Sequence, residues 1–154
     1  TNLIFLDISH NVLESIQDEN IWTLTTLTDL SLSSNRMVTL PLAIACLERL
    51  RILRADDNCI TSIEPDIIRL PELRALHLAQ NNIAAVPSLG WKWATNLEVL
   101  DLSNNDLDSL PYQMMALPRL TTLGLARNPR LSPRVTQAFF SSGPAGALAY
   151  LAAQ

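Results

Sequence analysis

Few residues in this chain have the chemistry of a catalyst or a metal ligand, and their spacing brings none of them together. There are two histidines, His10 and His77, and two cysteines, Cys46 and Cys59. A nucleophile needs a base within hydrogen-bond reach, and a zinc site needs clustered ligands; neither pattern occurs. Four glycines in 154 residues form no glycine-rich phosphate loop. The sequence therefore reads as no enzyme, with no catalytic residues, no metal and no cofactor. The residue type that does recur at fixed spacing is asparagine. Asn11, Asn35, Asn58, Asn81, Asn105 and Asn128 each stand eight residues after a leucine. A carboxamide donates and accepts at once, so the chemistry on offer is structural: it satisfies backbone groups that a turn leaves unpaired.

The elements that must position those amides follow from the leucines. Leu3, Leu27, Leu50, Leu73, Leu97 and Leu120 open six copies that start 23 or 24 residues apart. The fifth copy shows the pattern in full: Leu97, Leu100, Leu102, Asn105, Leu107, Leu110. The alternation in Leu100-Asp101-Leu102 is the period-two signature of a half-buried strand. Apolar pairs stand six and three residues before each next starting leucine: Ile21 and Leu24, Ile44 and Leu47, Ile67 and Leu70, Trp91 and Ala94, Met114 and Leu117. That i, i+3 spacing predicts a turn or two of helix over the core. Pro41, Pro65, Pro87 and Pro111 stand where the last four of these five segments begin, outside the sheet, where a missing amide proton costs nothing. One copy cannot bury its apolar face alone, so the copies must stack.

Over about residues 1–131 this pattern resembles the leucine-rich repeat family. The resemblance implies an α/β fold: a right-handed solenoid with a parallel β-sheet on its concave face, short helical or extended segments on its convex face, and a ladder of stacked asparagines. After Asn128 the pattern breaks. Pro129, Pro133, Gly143 and Tyr150-Leu151 resemble the C-terminal cap of soluble intracellular members, the group that includes the Ras-suppressor type. The expected division is six repeats over 1–131 and a helical cap over 132–154, with helices at 134–140 and 145–153. Leu3 opens directly into a strand, so further repeats or a cap are expected upstream, and the open first strand brings a hazard of edge-to-edge self-association.

Composition narrows the partners. The net charge is −4, from eleven basic and fifteen acidic residues, which gives no basic footprint for nucleic acid. No apolar run approaches the length of a membrane span, and no membrane partner is expected. The sparse cysteines, expected half-buried at 46 and outward at 59, and the lack of an Asn-X-Ser/Thr sequon favour a cytoplasmic, reducing compartment.

The concave sheet is where function is expected. Its outward rows include Phe5, Asp7, Asp29, Ile52, Arg54, Asp56, His77 and Asp101, the predicted contact residues for a protein partner. Phe5, Ile52 and Val99 place apolar groups on a wet face. Arg54 falls within reach of Asp29, Asp56 and Asp57, and His77 between Arg54 and Asp101. Trp22 and Trp93 fall outside the apolar register and are expected to pack, buried or half-buried, over the convex side; the alternative is a second contact surface there. The function expected is a protein–protein interaction scaffold. The alternatives are a targeting or regulatory module of a larger enzyme (a phosphatase, kinase or ubiquitin ligase) and a structural component of a cytoskeletal assembly.

Overall fold

The structure, a computed structural model, describes residues 2–142 and 149–150. Every copy contributes a three-residue strand: β1 (Phe5–Asp7), β2 (Asp29–Ser31), β3 (Ile52–Arg54), β4 (Ala75–His77), β5 (Val99–Asp101) and β6 (Thr122–Gly124). Consecutive strands pair in parallel and in sequence order, so each copy makes one turn of a right-handed α/β solenoid. The register carries the framework leucines into one row: Leu6, Leu30, Leu53, Leu76, Leu100 and Leu123. From Leu30 to Leu123 this row is fully buried. Each such side chain contributes roughly 1.5–3 kcal/mol before entropy is subtracted.

The turn after each strand has a feature that the sequence did not announce. His10, Ser34, Asp57, Gln80, Asn104 and Arg127, each just before a ladder asparagine, all adopt φ between 53 and 56°. For an L-residue the left-handed region costs energy. The backbone offsets it, because the amides of His10, Ser34, Asp57, Gln80 and Asn104 each donate to a carbonyl of the next copy at 2.8–2.9 Å. The sharp turn also aims the asparagine inward. Asn58 Nδ2 donates to Leu32 O at 3.0 Å and to Ala55 O at 3.3 Å, while its Oδ1 accepts the Met37 amide at 3.0 Å. Asn35, Asn81, Asn105 and Asn128 repeat the arrangement, and each stitches its own turn to the preceding copy.

The return segments are tighter than ordinary α-helix. Glu19–Thr23, Leu42–Cys46, Trp91–Trp93 and Tyr112–Ala116 are 3₁₀ helices; α1 (Pro65–Ile68) is a single α turn. With three residues per turn, residues three apart share a side. Ile44 and Leu47, Ile67 and Leu70, Trp91 and Ala94, and Met114 and Leu117 are therefore all buried. The same geometry turns Cys46 outward, so it is exposed and not half-buried; Cys59 is exposed as well, and both thiols are free. Trp22 packs into the core at 8% exposure, as expected of the convex side. Trp93 does not: it is 46% exposed. An extra residue between Pro87 and Trp91, Gly90 at φ 103°, lets the chain keep Trp91 in the core register and carries Trp93 past it.

Beyond the last strand α2 (Pro133–Ser142) contains the helix expected at 134–140. The second helix, expected at 145–153, is corrected in its described part. Ala149–Tyr150 form β7, pairing in parallel with β6 through Thr122 and Leu123. The alanine-rich segment has helical propensity, but the free side of β6 offers backbone partners, and tertiary pairing overrides a weak local preference. The rest of that segment lies outside the described residues. Among the described residues no helix is long and apolar enough to cross a membrane.

Candidate functional site

The concave surface is two rows of side chains on a parallel backbone lattice with strands about 4.8 Å apart. One row is Phe5, Asp29, Ile52, Ala75, Val99 and Thr122; the other is Asp7, Ser31, Arg54, His77, Asp101 and Gly124. Pairing therefore brings Arg54, His77 and Asp101 side by side on β3, β4 and β5, as the alignment implied. Phe5 is 53% exposed, while Ile52 and Val99 are half-buried. Ser31 is buried within its row, between Asp7 and Arg54 in register. His10 stands apart from this surface grouping, in the turn after β1.

Most of the carboxylates on this face are engaged by their own chain. Asp7 Oδ1 accepts the Ser9 amide at 2.9 Å. Hydrogen bonds from the Ser9 hydroxyl and amide, with a smaller one from Ser31, hold the Asp7 carboxyl below its usual range. Asp101 Oδ1 repeats the device, accepting the Ser103 amide at 3.0 Å and the Ser103 hydroxyl at 2.7 Å. Asp101 also leans over Gly124, where a Cβ would collide with its carboxylate, so the glycine makes room for the acid. Asp56 Oδ1 accepts the Ala79 amide from the next copy at 2.9 Å, and Ser33 Oγ donates weakly to its other oxygen at 3.4 Å. Burial raises the Asp56 carboxyl above its ordinary value; the Ala79 hydrogen bond and the nearby His77 oppose that shift, and Asp101 adds to it. Asp29 accepts from the Thr28 hydroxyl at 2.7 Å. The repeated Asp-X-Ser at Asp7-Ile8-Ser9 and Asp101-Leu102-Ser103 was the sequence signal for this turn-building role.

Arg54 differs. Sequence alignment put it within reach of Asp29, Asp56 and Asp57, yet among the described residues it forms no ion pair. The pairs present are Arg51–Glu72 and Arg74–Glu98 along the flank of the sheet, and Arg69–Asp66 on the convex side. Register explains the difference: Arg54 is followed across the sheet by Ser31 and His77, not by an acid, and Asp56 turns toward Ala79.

A family model described as leucine rich repeat matches residues 1–60 and 71–129. Chaoptin of Drosophila melanogaster is 38% identical over 129 residues, which cover 83% of this chain and 10% of chaoptin. Leucine-rich repeat serine/threonine-protein kinase 1 of Mus musculus is 31% identical over 133 residues, 80% of this chain and 7% of the kinase. Among solved structures, a leucine-rich repeat protein of Leptospira interrogans superposes with a TM-score of 0.87 at 29% identity, over 97% of this chain and 37% of that one. The chain thus spans about a tenth or less of the two relatives and just over a third of the solved protein. Six aligned strands, five stacked interior asparagines and a family match over most of the sequence converge: the chain belongs to the leucine-rich repeat family.

Proposed function

We propose that the chain is a protein–protein interaction scaffold whose concave sheet holds a partner protein at Phe5, Asp7, Asp29, Ile52, Arg54, Asp56, His77 and Asp101. Leucine-rich repeat domains commonly serve as such modules, some of them within kinases and phosphatases. The observation that carries the reading is Arg54. Its half-buried guanidinium lies in a row with Ser31, His77 and Asp101, without an ion pair among the described residues, while the neighbouring carboxylates are occupied by backbone amides. Guanidinium donors without a partner among the described residues, with apolar Ile52 on the same strand and Phe5 two strands away, are what a partner's acceptors and apolar groups can meet. The chain performs no chemistry in this reading; it contributes shape and a few anchors. Two exposed free thiols support placement in a reducing, cytoplasmic compartment and kinship with the soluble intracellular group.

The test is affinity capture from cell extract with the wild-type chain beside an Arg54→Glu, Phe5→Ser double variant, with bound proteins identified by mass spectrometry. Neither side chain makes a hydrogen bond among the described residues, so both chains should melt together. Partners retained by the wild type and lost from the variant are expected. Identical partner sets, with both chains folded, would remove the concave face from the argument.

A second reading makes the chain a targeting or regulatory module of a larger enzyme. It is supported by a relative that is a protein kinase and of which the matched repeats are a small part. The full open reading frame separates the two: a catalytic domain beside the repeats favours the module, repeats alone the scaffold.

A further inference from the structure

The convex side carries a feature that the repeat does not explain. Between Pro87 and Trp91 the chain has one residue more than the equivalent segments from Pro41 to Ile44 and from Pro111 to Met114. Gly90 absorbs it at φ 103°, close against Pro65 O, where an added Cβ would sit at 3.1 Å. The result is a hollow of about 300 Å³ lined in part by Leu89, Trp91, Trp93, Arg69, Lys92 and Gln113. Its size is at the lower end of what small ligands and side-chain anchors occupy.

Three observations there point the same way. Leu89 is 65% and Trp93 46% exposed, so two large apolar groups meet water side by side at the rim. The Trp93 ring is held by two cations, with Arg69 Cζ 4.5 Å and Lys92 Nζ 4.1 Å from its centre. Arg69 is neutralised by Asp66 at 2.9 Å, whereas Lys92, the only lysine in the chain, has no ion pair among the described residues. The hollow therefore keeps an uncompensated positive charge on a chain whose net charge is −4. Finally, Gln113 Oε1 is buried in the wall without a hydrogen-bond donor among the described residues. Buried carboxamide oxygens are ordinarily paired, so this one can accept an N–H once the amide turns toward the hollow.

We propose that this hollow is a second docking site, separate from the concave face, for an acidic segment of a protein partner. One apolar side chain of the segment seats on Leu89 and Trp93, a carboxylate meets Lys92 Nζ, and a main-chain N–H reaches Gln113 Oε1. The charge selects the sign of the segment, and the exposed ring and leucine select its anchor.

The probe is a synthetic heptapeptide, acetylated and amidated, with one leucine flanked on each side by three acidic residues; its control has lysines in place of the acids. Titration is followed on the indole N–H signals of the full chain by NMR, with Trp93 identified through Trp93→Phe. The acidic peptide should shift the Trp93 signal saturably, and added salt should weaken the effect because the charges are exposed. Lys92→Glu should lower the affinity at least tenfold with the β4 and β5 amide signals unmoved, and Leu89→Ser should lower it too. Arg54→Glu on the concave face should leave it unchanged, so failure here and failure of the concave reading are told apart. An unmoved Trp93 signal, an equal response to the lysine peptide, or full binding by Lys92→Glu would overturn the proposal. So would a Trp93-dependent response to phosphatidylserine vesicles without one to the peptide, which would reassign the site to an anionic membrane surface.

Discussion

At the scale of single residues, the turns rest on interior asparagines that bond backbone groups of their own and the preceding copy. Asn81 takes the Ile60 amide at 2.9 Å and gives hydrogen bonds to Ala55 O and Leu78 O at 3.0 and 3.1 Å. Asn81→Ala leaves the Ile60 amide without its acceptor, at about 1–3 kcal/mol, while Ala55 O and Leu78 O each keep a second carboxamide donor, Asn58 and Asn105. We expect a fall of that order in urea-unfolding free energy; a loss under about 1 kcal/mol would show that water replaces the ladder. Asp56 makes a pH-dependent contribution whose sign is fixed by its raised pKa. The folded state holds the proton more tightly than the unfolded chain, so the contribution is favourable below the ordinary value of 3.8 and is lost as pH rises through the raised folded value. Asp56→Asn keeps an acceptor for the Ala79 amide and removes the titration. Its stability relative to wild type should therefore rise between about pH 4 and neutrality; a difference that stays flat with pH would assign the raised value to compensation elsewhere. The ladder itself was legible in the sequence, because identical residues at one offset leave no other role. The engagement of Asp7 and Asp101 by Ser9 and Ser103 was less so, since an acid on a strand reads equally as a contact residue. The isolation of Arg54 could not be read at all, because it depends on which way three acids turn.

At the scale of elements, strands were readable and returns only partly. A three-residue strand fixed by Leu-X-Leu leaves one register, because a slip of one residue would put every leucine in water. The returns share only an i, i+3 apolar pair, which α and 3₁₀ turns satisfy alike, and the structure uses both. The alanine-rich stretch 145–153 carries helical propensity and no local signal against it, so only the partner strand decides that Ala149–Tyr150 is a strand. Gly90 also looked ordinary in the sequence. Its φ of 103° and the approach of Pro65 O make it the residue on which the fourth return depends. Gly90→Ala meets both a backbone conformation that a Cβ disfavours and a contact at 3.1 Å. We expect a loss of about 1–3 kcal/mol, with the Trp91 hydrogen bond to Pro87 O, 2.6 Å in the native chain, disturbed. Thermal melting beside the Trp91 indole signal checks this: an unchanged melt would mean that the return repacks at no cost.

At the scale of the whole molecule, the strands pair only with their sequence neighbours, so stability is a chain of local terms and interfaces. Leu76 lies at the centre of that chain, fully buried, with Leu53 and Leu100 on either side in register. Leu76→Ala removes side-chain contacts from its own copy and from both interfaces, at roughly 2–5 kcal/mol. The way this loss spreads distinguishes two architectures. If the copies were independent, only amides of the fourth copy would lose protection from hydrogen exchange. In a coupled solenoid a stretch of two or three copies is barely stable by itself, so weakening the fourth lets its neighbours open with it. We expect amides around Leu53, Leu76 and Leu100 to lose protection together, by roughly thirtyfold or more, the equivalent of the lower end of that range. Loss confined to the copy of Leu76 would make the repeats separable units. The concave rows would then be too loosely held relative to one another to present Arg54, His77 and Asp101 as a single surface.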